Sequence, residues 1–288
     1  MDVKKCVITA AGLGTRLLPA SKELPKEMFA IFTVNSSGKL AVKPLLQVIF
    51  ERFFNVGVRD FCFVVGRGKR AIEDHFTPDW KFVDELNTKR KSEQADVLED
   101  FYHKIEDSGI LWINQTKPLG FGHAVYSARS FVGDDDFVVA AGDTYVVSKE
   151  RDLIRCLINT FYKTKSSATI FLKKVADPRI YGVVKAQNAG DHIKVIDIIE
   201  KAADPPSNIA VTPYYIFKPS IIDALSKIRS GVGGEIQLTD AIRTLIEKKE
   251  QVTGVLLNEE EPWFDVGTPE SYSEVLKRSK SFLDGAGK

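Results

Sequence analysis

Long apolar runs are missing from this sequence, and so is any cluster of cysteines. No stretch reaches the roughly 20 apolar residues that a transmembrane helix needs, so we expect no membrane as a partner. The apolar run after residues 1–5 is too short for a signal peptide. The three cysteines, Cys6, Cys62 and Cys156, are scattered and odd in number, which predicts buried, reduced thiols. These features together predict a cytoplasmic protein.

A charge imbalance is missing as well. The chain has 40 Lys and Arg against 39 Asp and Glu, a formal net charge of +1. Without a strong overall field we expect no nucleic-acid partner, and any anionic ligand must be held by local groups. The four histidines show no paired metal-ligand spacing, so we interpret them as structural or surface residues: His75, His103, His123 and His192.

The first half of the chain alternates between strand and helix patterns. Short apolar strands are predicted at Val7–Ala11, Asp60–Val65, Leu111–Asn114 and Phe137–Ala141, with helical spacing between them. This alternation predicts a parallel sheet with helices on both faces, whose ligands lie beyond the carboxyl ends of the strands. The polar segment Thr33–Val42 interrupts the pattern and is predicted to be a surface loop.

The second half of the chain has a different pattern of predicted elements. It contains several predicted strands, then helices at Pro219–Ile228 and Glu235–Lys248. No linker separates the halves, so residues 1–288 are predicted to form a single α/β domain. We expect a Rossmann-like, mixed but mainly parallel sheet with helices on both faces.

The most informative stretch is Ala10–Met28, AAGLGTRLLPASKELPKEM. Gly12 and Gly14 let backbone come close to a ligand, and the N–H groups of such a loop attract phosphate. Arg16 and Lys26 add positive charge close behind. The spacing lacks the third glycine of a dinucleotide-binding loop and the Gly-Lys-Ser/Thr of a Walker loop. On its glycines alone, the stretch could equally be an ordinary tight turn.

The whole string is more specific than its glycines. It resembles the signature of the nucleotide-sugar pyrophosphorylases: Gly-x-Gly-Thr-Arg-Leu, a proline, then Pro-Lys-Glu-Met. The resemblance extends from Lys5 to about Leu276 and is greatest to members that use UTP and glucose 1-phosphate. It implies the nucleotide-diphospho-sugar transferase fold, formation of UDP-glucose and pyrophosphate with Mg²⁺, and a homo-oligomer, a dimer or tetramer. It also implies a nucleotide-binding half at about 1–150 and a sugar-binding half at about 151–288.

The resemblance carries roles to individual residues of the nucleotide half. Arg16 and Lys26 would hold phosphate charge, and Asp143 and Asp265 would bind the metal. An amide such as that of Gln115 presents a donor and an acceptor together, which suits a base edge. The nucleotide contacts that the family implies are Ala11, Gly12, Gly14, Thr15, Gln115 and Gly120.

The sugar side rests on a second set of motifs. Glu200-Lys201 resembles the family's Glu-Lys-Pro, with Ala202 in place of the proline; the glutamate would bind sugar hydroxyls and Lys201 the sugar phosphate. Gly182 and Val211 would offer backbone contacts to the sugar. A sugar-side role is also open for Glu235.

Two departures from the family pattern leave alternatives open. Thr33–Val42 lengthens a loop that the family keeps short. Gly142 before Asp143 is more like the related thymidylyltransferases, so dTTP is an alternative substrate. A catalytically inactive nucleotide-sugar-binding or regulatory subunit, and a dinucleotide-dependent dehydrogenase, are the more distant alternatives.

Overall fold

A nine-stranded sheet is the centre of the computed structural model, which describes residues 3–35 and 37–284. The strands of these residues are β1 Lys5–Ala10, β2 Ala30–Val34, β3 Leu40–Pro44, β4 Asp60–Val65, β5 Gly109–Asn114, β6 Phe137–Ala141, β7 Thr144–Val146, β8 Ala168–Lys174, β9 Gly182–Asn188, β10 Ile193–Glu200, β11 Ile209–Phe217, β12 Val252–Leu256 and β13 Trp263–Asp265. The helices are α1 Leu45–Asn55, α2 Arg70–His75, α3 Trp80–Thr88, α4 Ser92–Glu106, α5 Phe121–Ser127, α6 Arg129–Val132, α7 Leu153–Thr164, α8 Ser220–Leu225, α9 Leu238–Glu247 and α10 Pro269–Asp284.

The first half of the sheet is parallel, as the sequence predicts. Its strands follow the order β5-β4-β1-β6, and Val7 of β1 lies between Cys62 of β4 and Val139 of β6. The strand residues here are mostly buried, which is typical of parallel strands covered on both faces. The carboxyl ends of β1, β4 and β6 therefore meet at one edge.

The second half of the sheet is mostly antiparallel, so the prediction of a mainly parallel sheet is wrong there. β11 runs antiparallel to β6 and β8, and β10 runs antiparallel to β12 and β9; β8 and β12 are parallel. A short turn, and no crossover helix, joins β9 to β10, which requires antiparallel neighbours. One residue pair, Ala210 with Val183, also joins β11 to β9 and closes these strands into a ring.

Apolar residues pack on both faces of the sheet. Ile8 belongs to one cluster with residues of α1, α4 and α7, whereas its neighbour Val7 belongs to another with residues of α5, α8 and α9. This alternation follows from the period of two along a strand. The helices therefore cover both faces, as predicted.

Three local predictions need correction. Thr33–Val42 is not simply a loop, because β2 and β3 form a hairpin in which Thr33 lies opposite Ala41; Ser36 lies outside the described residues. The sequence pattern of Gly120–Val132 predicts a single helix, but the structure divides this segment into α5 and α6. The helix expected from Glu235 begins at Leu238, because the Ile236 N–H donates to the Leu119 carbonyl and the Ile236 carbonyl accepts from Gly122.

The cysteines are free thiols, as the sequence predicts. Cys6 and Cys62 are buried, and burial raises the pKa of both thiols, of Cys62 to about 12. Cys156 of α7 is only half-buried, so the prediction of a buried thiol is wrong there.

Across the residues that the structure describes, none of the helices is long and apolar enough to pass through a lipid bilayer.

His75 makes stability depend on pH. Its Nε2 lies 3.0 Å from Oε1 of Gln47, and burial lowers the pKa of the imidazole to about 4. Between pH 6.5 and 4 the unfolded chain takes up a proton there that the folded protein resists, so the free energy of unfolding falls as the pH falls. At about 1.4 kcal/mol per pKa unit, the loss is on the order of 1–3 kcal/mol.

Urea unfolding at a series of pH values measures this effect. We expect His75→Gln to flatten the fall between pH 6.5 and 4. His103→Gln is the matched control, because His103 is exposed on α4, and it should keep the wild-type slope. Equal slopes in wild type and His75→Gln would show that another group is responsible.

Candidate active site

A cavity of about 500 Å³ opens at the edge where the parallel strands end. The chain leaves β1 at Ala10 and turns through Gly14, which has φ +65° and whose carbonyl accepts a hydrogen bond from Ser21 Oγ at 2.7 Å. A positive φ is strained for a side-chain-bearing residue, so glycine suits this position. Every nucleotide-binding residue predicted from the sequence lines this cavity: Ala11, Gly12, Gly14, Thr15, Gln115 and Gly120.

Asp143 lines this cavity, and Asp265 lies close enough for the two carboxylates to repel each other, although they are far apart in the chain. Asp143 follows β6, and its backbone carbonyl accepts from the N–H of Val266 at 2.9 Å. Asp265 ends β13, where it lies opposite Thr144 of β7. The two short strands β7 and β13 thus bring the carboxylates together.

Lys26 and Arg16 supply the positive charge beside these carboxylates. The Nζ of Lys26 donates to Oδ2 of Asp143. Burial lowers the pKa of Lys26, but the carboxylates of Asp143, Glu27 and Asp265 together outweigh it, and the net pKa is raised. A Cβ on Gly267 would lie 2.6 Å from Oδ2 of Asp265 and 3.1 Å from a terminal nitrogen of Arg16, so both side chains flank that glycine.

The pair of aspartates fits a divalent cation. The side chain of Asp265 reaches solvent on one side, but protein atoms surround the rest of it. This partial desolvation, together with the Asp143 carboxylate, raises the pKa of Asp265 to about 6, against the opposing charges of Lys26 and Arg16. A cation between the carboxylates would relieve their repulsion. Within residues 3–35 and 37–284 no group of three or more His, Cys, Asp or Glu forms a metal site. Two carboxylates suit Mg²⁺, which keeps waters and substrate phosphates as its other ligands.

The predicted sugar residues form a neighbouring group. Gly182 of β9 lies opposite Glu200 of β10, and Glu200 Oε2 accepts from Thr239 Oγ1 at 3.0 Å. Lys201 Nζ lies 3.8 Å from Glu200 Oε1. Val211 lies on β11, directly after the residue that joins β11 to β9.

The predicted sugar-binding residues lie next to the cavity but do not line it. Burial raises the pKa of Glu200, and Glu235, which lies on the cavity wall, adds to that shift. The ring of Tyr181 lies 4.9 Å from that of Trp263, two residues before Asp265. The structure therefore joins Lys26, Asp143 and Asp265 in one cluster and places Lys201 in the group beside it.

Sequence reasoning missed a buried ion pair behind Lys26. Glu27 is 2% exposed, and its Oε2 accepts from Lys69 Nζ at 2.8 Å. Burial raises the pKa of Glu27 in spite of that partner. Glu27 belongs to the Pro-Lys-Glu-Met string, but no pattern of spacing indicates Lys69 as its partner.

Packing explains why residue 142 is glycine, whichever nucleotide the protein binds. Its N–H donates to the carbonyl of Thr9. A Cβ at this position would lie 2.9 Å from that oxygen and 3.0 Å from Cδ1 of Leu46. Glycine here lets β6 end against β1, so it is no argument for dTTP over UTP.

Removing Lys69 should destabilise the protein strongly. Lys69→Met leaves a buried carboxylate without a partner, which costs about 3–5 kcal/mol, whereas Glu27→Gln combined with Lys69→Met should recover most of that loss. Lys89→Met is the control and should cost less than about 1 kcal/mol, because Lys89 directly follows α3 and forms an exposed pair with Glu85. Chemical denaturation measures all three; a loss for Lys69→Met no greater than the control's would contradict the assignment.

Three known proteins resemble this chain over most of its length. UTP–glucose-1-phosphate uridylyltransferase 2 of Staphylococcus saprophyticus is 39% identical over 248 residues, 84% of this chain and 81% of that protein. UTP–glucose-1-phosphate uridylyltransferase of Bacillus subtilis is 39% identical over 250 residues, 85% of this chain and 81% of that protein. A solved structure of UDP-glucose pyrophosphorylase complexed with UDP-glucose is 28% identical, covers 99% of this chain and 100% of that one, and has a TM-score of 0.83.

A family model described as nucleotidyl transferase matches residues 5–281. This match and the two curated relatives confirm the family that the Ala10–Met28 string predicts. The chain belongs to the nucleotidyl transferase family.

Proposed function

We propose that the protein transfers a uridylyl group from UTP to glucose 1-phosphate and releases pyrophosphate. The observation that carries this proposal is the meeting of Lys26, Arg16 and Asp143 at a cavity lined by a glycine-rich loop, with Asp265 beside them. The names of the relatives, UTP–glucose-1-phosphate uridylyltransferase, support the choice of substrates.

The reaction needs charge neutralisation more than proton transfer. An oxygen of the sugar phosphate attacks the α-phosphorus of UTP, and the bond from that phosphorus to the pyrophosphate oxygen breaks. The second pKa of a phosphate is about 6, so the nucleophile is already ionised near pH 7. Two unit charges about 4 Å apart repel by about 4 kcal/mol at an effective dielectric constant of 20. The chain must offset that repulsion.

Each group of residues has a role in this scheme. The backbone of residues 11–15 cradles the nucleotide, and Gln115 and Gly120 bind the base. Arg16 and Lys26 hold the triphosphate. On the sugar side, Lys201 holds the sugar phosphate, while Glu200, Gly182 and Val211 bind the sugar. Alignment of two substrates contributes about 7–11 kcal/mol to lowering a barrier of this kind.

Asp143 and Asp265 would hold Mg²⁺. When bound, this ion neutralises negative charge on the phosphate oxygens, as metal ions do in other phosphoryl transfers. Lys26, which bonds to Asp143, would then be drawn towards the phosphates of the nucleotide.

We also assign the two halves of one domain to the two substrates, with the nucleotide in residues 1–150 and the sugar in residues 151–288. A single family model over residues 5–281 supports one domain. The contact of β7 with β13, one strand from each half, supports a cleft completed by both.

Pyrophosphate release over a panel of nucleotides and sugar phosphates, with and without Mg²⁺, tests the proposal. We expect the largest kcat/KM for UTP with glucose 1-phosphate, and no turnover after chelation of divalent ions. A preference for dTTP would identify a thymidylyltransferase, and no turnover with any pair would favour a binding or regulatory subunit. Either result would overturn the proposed activity.

Lys26→Ala should lower kcat at least about 100-fold, the loss typical of removing one stabilising group from a transition state, without unfolding the protein. Lys22→Ala is the matched control, because Lys22 belongs to the same segment and its side chain is 75% exposed beside Glu23. Steady-state kinetics and thermal denaturation measure both variants. Near-normal turnover of Lys26→Ala would refute the role of Lys26.

A further inference from the structure

The side-chain amide of Gln115 is held in one orientation. Gln115 follows β5, is 8% exposed and lines the cavity. Its Nε2 lies 3.1 Å from the carbonyl oxygen of Gly120 and 3.0 Å from Nδ1 of His123. A carbonyl oxygen can only accept, so the amide atom that faces Gly120 is the nitrogen. The two hydrogens of that nitrogen thus go to Gly120 and His123.

This arrangement leaves Oε1 of Gln115 for a ligand. Among the described residues no donor is bonded to that oxygen, and the side chain forms part of the cavity wall. The amide therefore presents an acceptor, and not a donor, to whatever occupies the cavity. Its orientation decides which hydrogen-bonding pattern the site can read.

His123 can serve as the second anchor only in one protonation state. Its Nδ1 accepts from Gln115 when the ring is neutral and carries its proton on Nε2. Burial and the charge of Arg129 lower the pKa of His123, which keeps the ring neutral near pH 7. The other acceptor, the Gly120 carbonyl, also accepts a hydrogen bond from the N–H of Ala124, 3.1 Å away. Nδ1 of His123 is therefore the acceptor that only Gln115 uses among the described residues.

We propose that His123 is a positioning residue for base selection: by accepting from Gln115 Nε2, it keeps the amide oxygen turned towards the base. This rests on the proposed function. Uracil and thymine both offer an N3–H donor to that oxygen, whereas cytosine offers an unprotonated N3 that it repels. His123 therefore acts on the choice between UTP or dTTP and CTP, and it does not separate UTP from dTTP.

Two variants of His123 isolate the hydrogen bond. His123→Leu removes the acceptor and keeps an apolar side chain. His123→Asn places an amide oxygen at the position of Nδ1, because both atoms are bonded directly to Cγ. If His123→Leu does not fold, His123→Phe replaces it, since its ring keeps the aromatic shape and carries no acceptor. Circular dichroism and thermal denaturation establish that the variants compared are folded.

The readouts are kcat/KM for UTP, dTTP and CTP with glucose 1-phosphate, and the Kd of each nucleotide by calorimetry. For His123→Leu we expect the UTP-to-CTP ratio to fall about two- to tenfold, the value of one neutral hydrogen bond. The change should lie in KM and Kd, and dTTP should follow UTP. His123→Asn should restore the ratio to within about twofold of wild type.

Three results would overturn the proposal. They are an unchanged UTP-to-CTP ratio in His123→Leu, an equal loss for all three nucleotides, and a His123→Asn variant that behaves like His123→Leu. The proposed function fails separately, if the wild-type protein releases no pyrophosphate from UTP. In that case the ratio of Kd values still tests His123, because binding does not require turnover.

Discussion

The ion pair between Lys26 and Asp143 is the interaction on which the cleft depends. Two carboxylates, Asp143 and Asp265, cannot share a partly desolvated site without opposing positive charge. The structure provides it through Lys26, whose net pKa is raised in spite of its burial, and through Arg16 beside Gly267. The fold brings these groups together from three separate segments of the chain.

Charges of alternating sign continue behind this pair. Lys69 bonds to the buried Glu27, Glu27 directly follows Lys26 in the chain, and Lys26 bonds to Asp143. The alternation breaks where Asp143 meets Asp265, whose pKa is raised by burial and by the Asp143 carboxylate. The divalent cation that we propose would lie at this break, because it would restore the alternation and also bind phosphate oxygens. The buried pair fixes the segment that carries Lys26, so stability and charge placement depend on the same residues.

The sequence predicts the parallel half of the sheet well, because its strands and helices are defined by local apolar periodicity. It fails for the second half, where β11 inserts between β6 and β8; strand order is set by contacts between distant segments. β7 was missed, since three residues are too few to show a period. The family resemblance predicts roles for Lys26, Asp143 and Asp265, but spacing alone does not bring the two aspartates together. Glu27–Lys69 and Gln115–His123 needed coordinates, because their partners come from different elements.

The central claim is that the cleft promotes the reaction by compensating charge, without a residue that removes a proton. The solvent deuterium isotope effect on single-turnover formation of UDP-glucose, measured in H₂O and D₂O at saturating substrates and matched pH, tests it most directly. Because the attacking phosphate oxygen is already ionised, no proton moves in the chemical step and the account predicts an effect close to unity. An effect well above unity would mean that a proton is in transfer at the transition state, and it would contradict the account.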